Sequence, residues 1–323
     1  MELWYNYLFD QSFRPSRVDT SMSSIAQIRT SITTFGNNCN AGMLRWSVDW
    51  IAVLILVFLY RGVMHHRTDG FKRMFSLHDE SIKHPFTEHE RVPDAAMGFI
   101  AFTLPIFSVA ALSCLTKKCA IQLHRGTLGV IMTLVVTGCL TEFLKNLVGR
   151  PRPDLLERCK PDLKSWTSQP SQYNTSLVDY TICTTPFNAR ILQDGFKSFP
   201  SGHSSMSFAG LTYLAWYIRE ILSALVHKWA QQTYVEYEEA PTEEHTNDIE
   251  AGLIRQESQS PQVLATASVL APLVPLTVAT YVAVSRTMDY RHHATDVLAG
   301  SLLGFVMATI FFKLYNPAGS IRV

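Results

Sequence analysis

"FPSGHSSMSFAGLTYLAWYI" occupies residues 199–218. Its opening positions hold a proline, a glycine, a histidine and three serines, and the rest reads as the interior of a membrane. Polar residues followed at once by an apolar run mark a helix that starts at a water boundary and enters an apolar medium. The pattern is not confined to this stretch. Of 323 residues, 47% are apolar and 17% charged, with a net charge of +1, averages that a soluble enzyme could also show. The apolar residues, however, gather into six runs: Trp46–Met64, Ala95–Leu115, Gly126–Val148, Met206–Leu225, Val263–Val284 and Val297–Leu314. Each is long enough to cross a hydrocarbon core of ~30 Å. Gly98, Pro105, Gly129, Gly138, Pro272, Pro275, Gly300 and Gly304 lie inside them, as is ordinary in spans and costly in soluble helices. The sequence predicts an all-α, six-span transmembrane helical bundle.

The first 45 residues are rich in Ser, Thr, Asn and Arg and show no cleavable signal peptide, so the first span is expected to direct its own insertion. Six spans put both termini on one face and the loops 65–94, 149–200 and 285–296 on the other. The face of the termini carries 12 of the 28 Lys and Arg, the opposite face 16. That raw count weighs little, because long loops contribute weakly to the positive-inside rule and several of the 16 cations have a task of their own. Asn174-Thr175-Ser176 is a glycosylation sequon. Cys159 and Cys183 on the same loop could pair in an oxidising compartment. Together these features favour cytosolic termini, with the three loops luminal or extracellular.

Residues 1–45 are expected to form a disordered cytosolic tail, 46–316 the six-span domain, and 317–323 a short tail. Within the domain, 228–262 differs from its surroundings: Gln231 to Gln262 holds eight acids and one base, Arg255. Such a stretch reads as a solvated, disordered connector, with Ser260-Pro261 as a possible phosphosite. His65, His66, His78, His84 and His89 fall in one loop. They lack helical ligand spacing with a third ligand evident, so no metal site is expected. Asp49 lies near the cytosolic end of the first span, within reach of headgroup water. There is no internal repeat and no P-loop.

Three polar clusters fall on the face opposite the termini, each at a span end. "LKNLVGRPRPD" (144–154) follows the third run, "FPSGHSS" (199–205) opens the fourth, and "SRTMDYRHHATD" (285–296) joins the fifth to the sixth. A helical bundle can bring such ends together. The prolines at 151 and 153 stop the third helix, so Arg152 is expected to fold back over its end. Ser201 is a candidate N-cap, Gly202 permits close approach to the backbone, and a helix N-terminus favours an anion. His292 and Asp296 have i, i+4 spacing. On one helical face the carboxylate would accept the Nδ1 proton and leave Nε2 as a free lone pair.

These clusters meet a family signature: K-x6-R-P at Lys145, Arg152 and Pro153, P-S-G-H at Pro200 to His203, and S-R-x5-H-x3-D at Ser285, Arg286, His292 and Asp296. Over residues 46 to 316 the chain resembles the type 2 phosphatidic acid phosphatases, or lipid phosphate phosphatases. Its flanks "GRPRPD", "FPSGHSS" and "DYRHH" are most similar to those of the fungal diacylglycerol pyrophosphate phosphatases. The resemblance implies that Lys145, Arg152 and Arg286 hold phosphate oxygens, with Ser201 and the Gly202 amide as further donors. His292 would be the nucleophile, oriented by Asp296, and His203 the proton donor and later base. It implies no metal or other cofactor, lipid phosphates as substrates, the bilayer as partner and no nucleic acid. The compartment would be an endomembrane (vacuole, Golgi or endoplasmic reticulum) or the plasma membrane. His293 is expected to be structural. The signature binds phosphate without reading the leaving group, so sphingoid-base and isoprenoid phosphates stay open. A non-catalytic lipid-phosphate binder or transporter would be favoured by loss of His203 or His292, and both are present.

Overall fold

The computed structural model describes residues 47–60, 70–162, 177–238, 260–317 and 319–323. A first unit, Met1–Trp50, is described only over its last four residues, which are helical; the second unit is Ile51–Val323. The helices are α1 (Ser47–Phe58), α2 (Asp94–Ser113), α3 (Cys119–Val148), α4 (Leu155–Cys159), α5 (Arg190–Gly195), α6 (Gly202–Glu238), α7 (Ser260–Leu270), α8 (Leu273–Met288) and α9 (Ala294–Tyr315). Two short strands, β1 (Phe75–Ser76) and β2 (Leu177–Val178), pair antiparallel with Phe75 opposite Val178. Inside α2, Pro105 has no N–H to offer the carbonyl one turn back. The backbone widens there into a π-turn over Phe99–Thr103, where the Leu104 N–H reaches back to Phe99.

Among the described residues, four helices are long and apolar enough to cross a membrane: α2, α3, Gln262–Met288 (α7 and α8 together) and α9. The protein is a mostly helical, integral membrane protein. The other two expected spans differ for separate reasons. α1 is a shorter apolar helix within the described residues. α6 is long, but its apolar character is diluted because it lies at the centre, packed against α2, α3, α7, α8 and α9. Ser204, Ser205, Ser207, Thr212, Tyr213 and Tyr217 on it are all buried. The serine and tyrosine hydroxyls find partners inside the protein, among them Tyr217 Oη with Ser113 Oγ at 2.8 Å and Tyr213 Oη, which accepts from Asn316 Nδ2 at 2.9 Å; nearby, Trp216 Nε1 donates to Thr309 Oγ1 at 3.1 Å. A helix surrounded by other helices need not be oily on every side. Around it, Phe107, Val274, Leu298 and Leu302 point outward, as side chains facing lipid would.

The contact of α9 with α6 depends on small residues four apart. A Cβ on Gly300 would lie 2.5 Å from the Ser201 carbonyl oxygen, and one on Gly304 would collide with that of Ser205. Glycine at both positions lets the two backbones touch. At the end of α3, Gly149 takes a left-handed conformation (φ 57°), and its N–H caps the Lys145 carbonyl at 3.3 Å. The chain turns there toward a small second core of Phe75, Leu77, Ile82, Leu155, Leu192 and Phe196. Cys159 and Cys183 are disulfide-bonded beside it, with Cα atoms 4.6 Å apart.

The acidic connector expected over 228–262 is helical at both ends, since α6 continues to Glu238 and α7 begins at Ser260. Its middle, the N-terminal tail, His65, His66 and the Asn174 sequon lie outside the described residues.

Candidate active site

The three polar clusters meet at one end of the bundle. Lys145, in the last turn of α3, pairs with Glu142 at 2.9 Å, and its Nζ would lie 3.1 Å from a Cβ on Gly202. Beyond the Gly149 cap the chain folds back as expected. The Arg152 N–H bonds the Gly195 carbonyl at 2.8 Å, and its guanidinium meets Asp194 at 2.8 Å. Ser201 precedes α6, and its Oγ accepts from the Ser204 amide at 3.4 Å and the Ser204 hydroxyl at 2.9 Å. Its own hydroxyl hydrogen is not used by either bond. The Ser201 N–H donates to the Asp296 carbonyl at 3.0 Å, which fixes the start of α6 on the first turn of α9.

Arg286, in the last turn of α8, is buried. Its Nη1 pairs with Glu90 at 2.8 Å and donates to the Val92 carbonyl at 3.3 Å. That carbonyl also faces His203 Nε2 at 3.1 Å. A carbonyl can only accept, so Nε2 of His203 carries a proton. Arg291 reaches the other Glu90 oxygen at 2.9 Å. Burial alone would raise the Glu90 carboxyl, but the hydrogen bond and charge of Arg286, and then the charge of Arg291, hold it below its usual range. Burial likewise opposes ionisation of Asp194, and the guanidiniums of Arg152 and Arg158 bring its pKa down to about 2.

His292 departs from expectation in one respect. It lies before α9 rather than on it, so its spacing to Asp296 is not that of one helical face. His293 is the N-cap, and with Asp296 at the third helical position it forms a capping box: Asp296 Oδ2 accepts from the His293 N–H at 3.0 Å. The acceptor for His292 Nδ1 is the Ser198 carbonyl, at 2.7 Å. The tautomer is the one foreseen, with the proton on Nδ1, but a different group fixes it. Burial and the charges of Arg152, Arg286 and Lys145 hold the His292 ring well below its usual pKa, so it is neutral with a lone pair on Nε2. His203 is pushed down to about 3, by burial and then by Arg286.

The cations that act on His292 thus come from two of the clusters, and His203 and His292 both sense Arg286 and Lys145. The Nε groups of Arg152, Arg286 and Arg291 are buried with no hydrogen-bond partner among the described residues. A buried donor left unpaired costs about 1–3 kcal/mol. Orphaned guanidinium donors beside a helix N-terminus suit an oxyanion with several acceptor atoms. Glu90, Asp94 and His203 bring one possible metal-ligand atom each within 4.8 Å of one another, but the Glu90 carboxylate already faces two guanidiniums.

Sequence reading did not single out Glu90, Arg150, Asp194, Ser198 or Arg291. Arg150 and Arg291 carried a signal, being charges inside the motif stretches. Glu90 comes from a loop and Asp194 from the six-residue α5, too short to show periodicity, and Ser198 takes part through its backbone.

Residues 126–320 match the model of the PAP2 superfamily. The chain is similar to the "Probable diacylglycerol pyrophosphate phosphatase 1" of Schizosaccharomyces pombe, with 34% identity across 85% of this chain and 83% of that protein. It is 30% identical to the "Diacylglycerol pyrophosphate phosphatase 1" of Saccharomyces cerevisiae, over 84% of this chain and 81% of the relative. With the "Lipid phosphate phosphatase 2" of Arabidopsis thaliana the identity is 29%, over 83% and 77%. No solved structure matches at comparable significance.

Proposed function

Since the chain belongs to the PAP2 superfamily, we propose that it is an integral membrane hydrolase of lipid phosphates, acting on phosphatidate, diacylglycerol pyrophosphate and related lipids. The observation that carries this reading is the meeting of Lys145, Arg152 and Arg286 around a neutral, buried His292, with orphaned guanidinium donors beside it. In the reaction, the Nε2 lone pair of His292 forms a bond to phosphorus as the phosphorus–oxygen bond to the lipid breaks. The departing oxygen takes a proton from His203. Water then attacks phosphorus and gives a proton to His203, and the phosphorus–nitrogen electrons return to Nε2. The three cations and the α6 N-terminus, through Ser201 and the Gly202 amide, stabilise charge on the equatorial oxygens. Asp296 acts as a support for the nucleophile.

Both termini are read as cytosolic in a six-span chain whose site faces the lumen or the exterior. The Cys159–Cys183 bridge supports that orientation, because such bonds persist in oxidising compartments. A lipid substrate keeps its chains in the bilayer and brings its headgroup to the helix ends.

The cations do the work that magnesium does in many phosphoryl-transfer sites. Phosphate release by the detergent-purified protein, assayed over a panel of phosphatidate, pyrophosphate, sphingoid-base and isoprenoid phosphate lipids, is therefore expected to persist in excess EDTA. Loss of activity in EDTA with recovery on adding magnesium would refute the mechanism. Arg286 gives a second test. Its Nη1 is taken by Glu90 and Val92, so the remaining fork faces substrate. Arg286→Lys keeps the charge but cannot serve both sides, and a loss on the order of 10²-fold is expected. Activity within about threefold of the unmodified protein would show that the fork is not used.

A further inference from the structure

We infer that Arg150 and Ser198 are positioning residues for the nucleophile, and that Asp296 acts on His292 through them rather than by direct contact. This rests on the reading of His292 as the phosphorylated group. The buried Asp296 carboxylate divides its oxygens. Oδ1 pairs with Arg150 Nη1 at 2.6 Å, and Oδ2 accepts the Ser198 hydroxyl at 2.6 Å together with the His293 N–H at 3.0 Å. The Ser198 N–H in turn donates to the Arg150 carbonyl at 3.1 Å. Ser198 is thus held at its hydroxyl and at its amide, and its third polar group, the carbonyl, receives the His292 Nδ1 proton at 2.7 Å. A carbonyl fixed in this way sets both the tautomer and the ring plane of His292, so Nε2 is aimed at phosphorus. It also meets the positive charge that the imidazole gains when Nε2 is phosphorylated. Arg150 Nη1 donates to Thr295 Oγ1 at 2.7 Å as well, which joins the end of α3 to the first turn of α9. One carboxylate therefore ties together the segments carrying all three polar clusters. Arg150 Nη1 and the Ser198 hydroxyl are both spent on Thr295 and Asp296 and are not among the donors assigned to the phosphate.

The test uses the full-length protein in detergent with a soluble aryl phosphate. Ser198→Ala removes the hydroxyl and keeps the carbonyl; Ser198→Thr restores a hydroxyl. Ser198→Ala and Arg150→Ala are each expected to lower kcat about tenfold. KM and inhibition by inorganic phosphate should stay within about twofold, because the cation cradle is untouched. Ser198→Thr should regain most of the lost kcat. The double variant should lose less than the product of the two single losses, since both act through one carboxylate. Unchanged kcat in Ser198→Ala, or fully multiplicative losses, would overturn the inference. So would a rise in KM and in the phosphate inhibition constant matching the fall in kcat. Rapid-quench labelling of the unmodified protein separates this from the underlying reading. If no phosphohistidine forms there, the nucleophile itself is misassigned; if it forms and Ser198→Ala turns over normally, only the positioning network fails.

Discussion

His292→Ala is expected to form no phosphoenzyme with any substrate and to lose turnover by at least about 10⁴-fold, the scale seen when a nucleophile is deleted. Residual rate would come from the cations alone, since the variant keeps Lys145, Arg152 and Arg286, the groups proposed to bind and polarise the phosphate. The neighbouring His293 cannot take over. Its side chain is engaged with Asp296 at the N-cap of α9, on the far side of the turn that presents His292. Rapid-quench labelling with a radiolabelled aryl phosphate checks this directly. Label retained on His292→Ala would move the covalent step to another residue.

The second large effect belongs to His203. With its pKa pushed down to about 3, the free protein holds this ring neutral at physiological pH. Burial and then Arg286 depress that pKa; a bound phosphate dianion would offset the Arg286 charge, so proton uptake is expected to accompany substrate binding. His203→Ala removes the acid and later base, at a cost of roughly 10²–10⁴-fold for a poor leaving group such as a lipid alcohol. An aryl phosphate needs little protonation on departure, so this variant should still be phosphorylated by it. Hydrolysis then lacks its base, and an acid-labile, base-stable phosphohistidine should accumulate. An acid-stable adduct, or no adduct at all, would contradict the division of labour between the two histidines.

How far the letters alone reached can be argued from individual residues. Lys145, Arg152, His203, Arg286 and His292 are recognisable because side-chain chemistry at the ends of apolar runs is written in the sequence. The partner of His292 is not, because the acceptor is a backbone carbonyl and any residue at 198 supplies one. The spacing of Asp296 from His292 misled for a local reason: the helix begins at Ala294, so helical geometry does not extend back to 292. His293, expected to be structural, is the N-cap of α9. α6 shows the converse limit. Hydropathy measures what a helix shows to lipid, and α6 faces other helices, so its serines and tyrosines dilute the signal while its burial makes it the centre of the fold. Glu90 was invisible because a lone acid in a loop carries no pattern until the guanidiniums it joins are seen.

The glycine seam between α6 and α9 bears on how the protein is made. α6 carries the P-S-G-H turn but is too polar on its buried sides to gain much from entering lipid by itself. The wall that closes over Ser201 and Ser205 is Gly300 and Gly304 of α9, which leaves the ribosome after α6. Until α9 follows, the Ser201 end of α6 has no ceiling, and Asp296 is not yet there to join the segments. On the proposed reading the chain is expected to stay inert toward the lipids around it until α9 docks, and a product truncated before α9 to lose activity as well as stability.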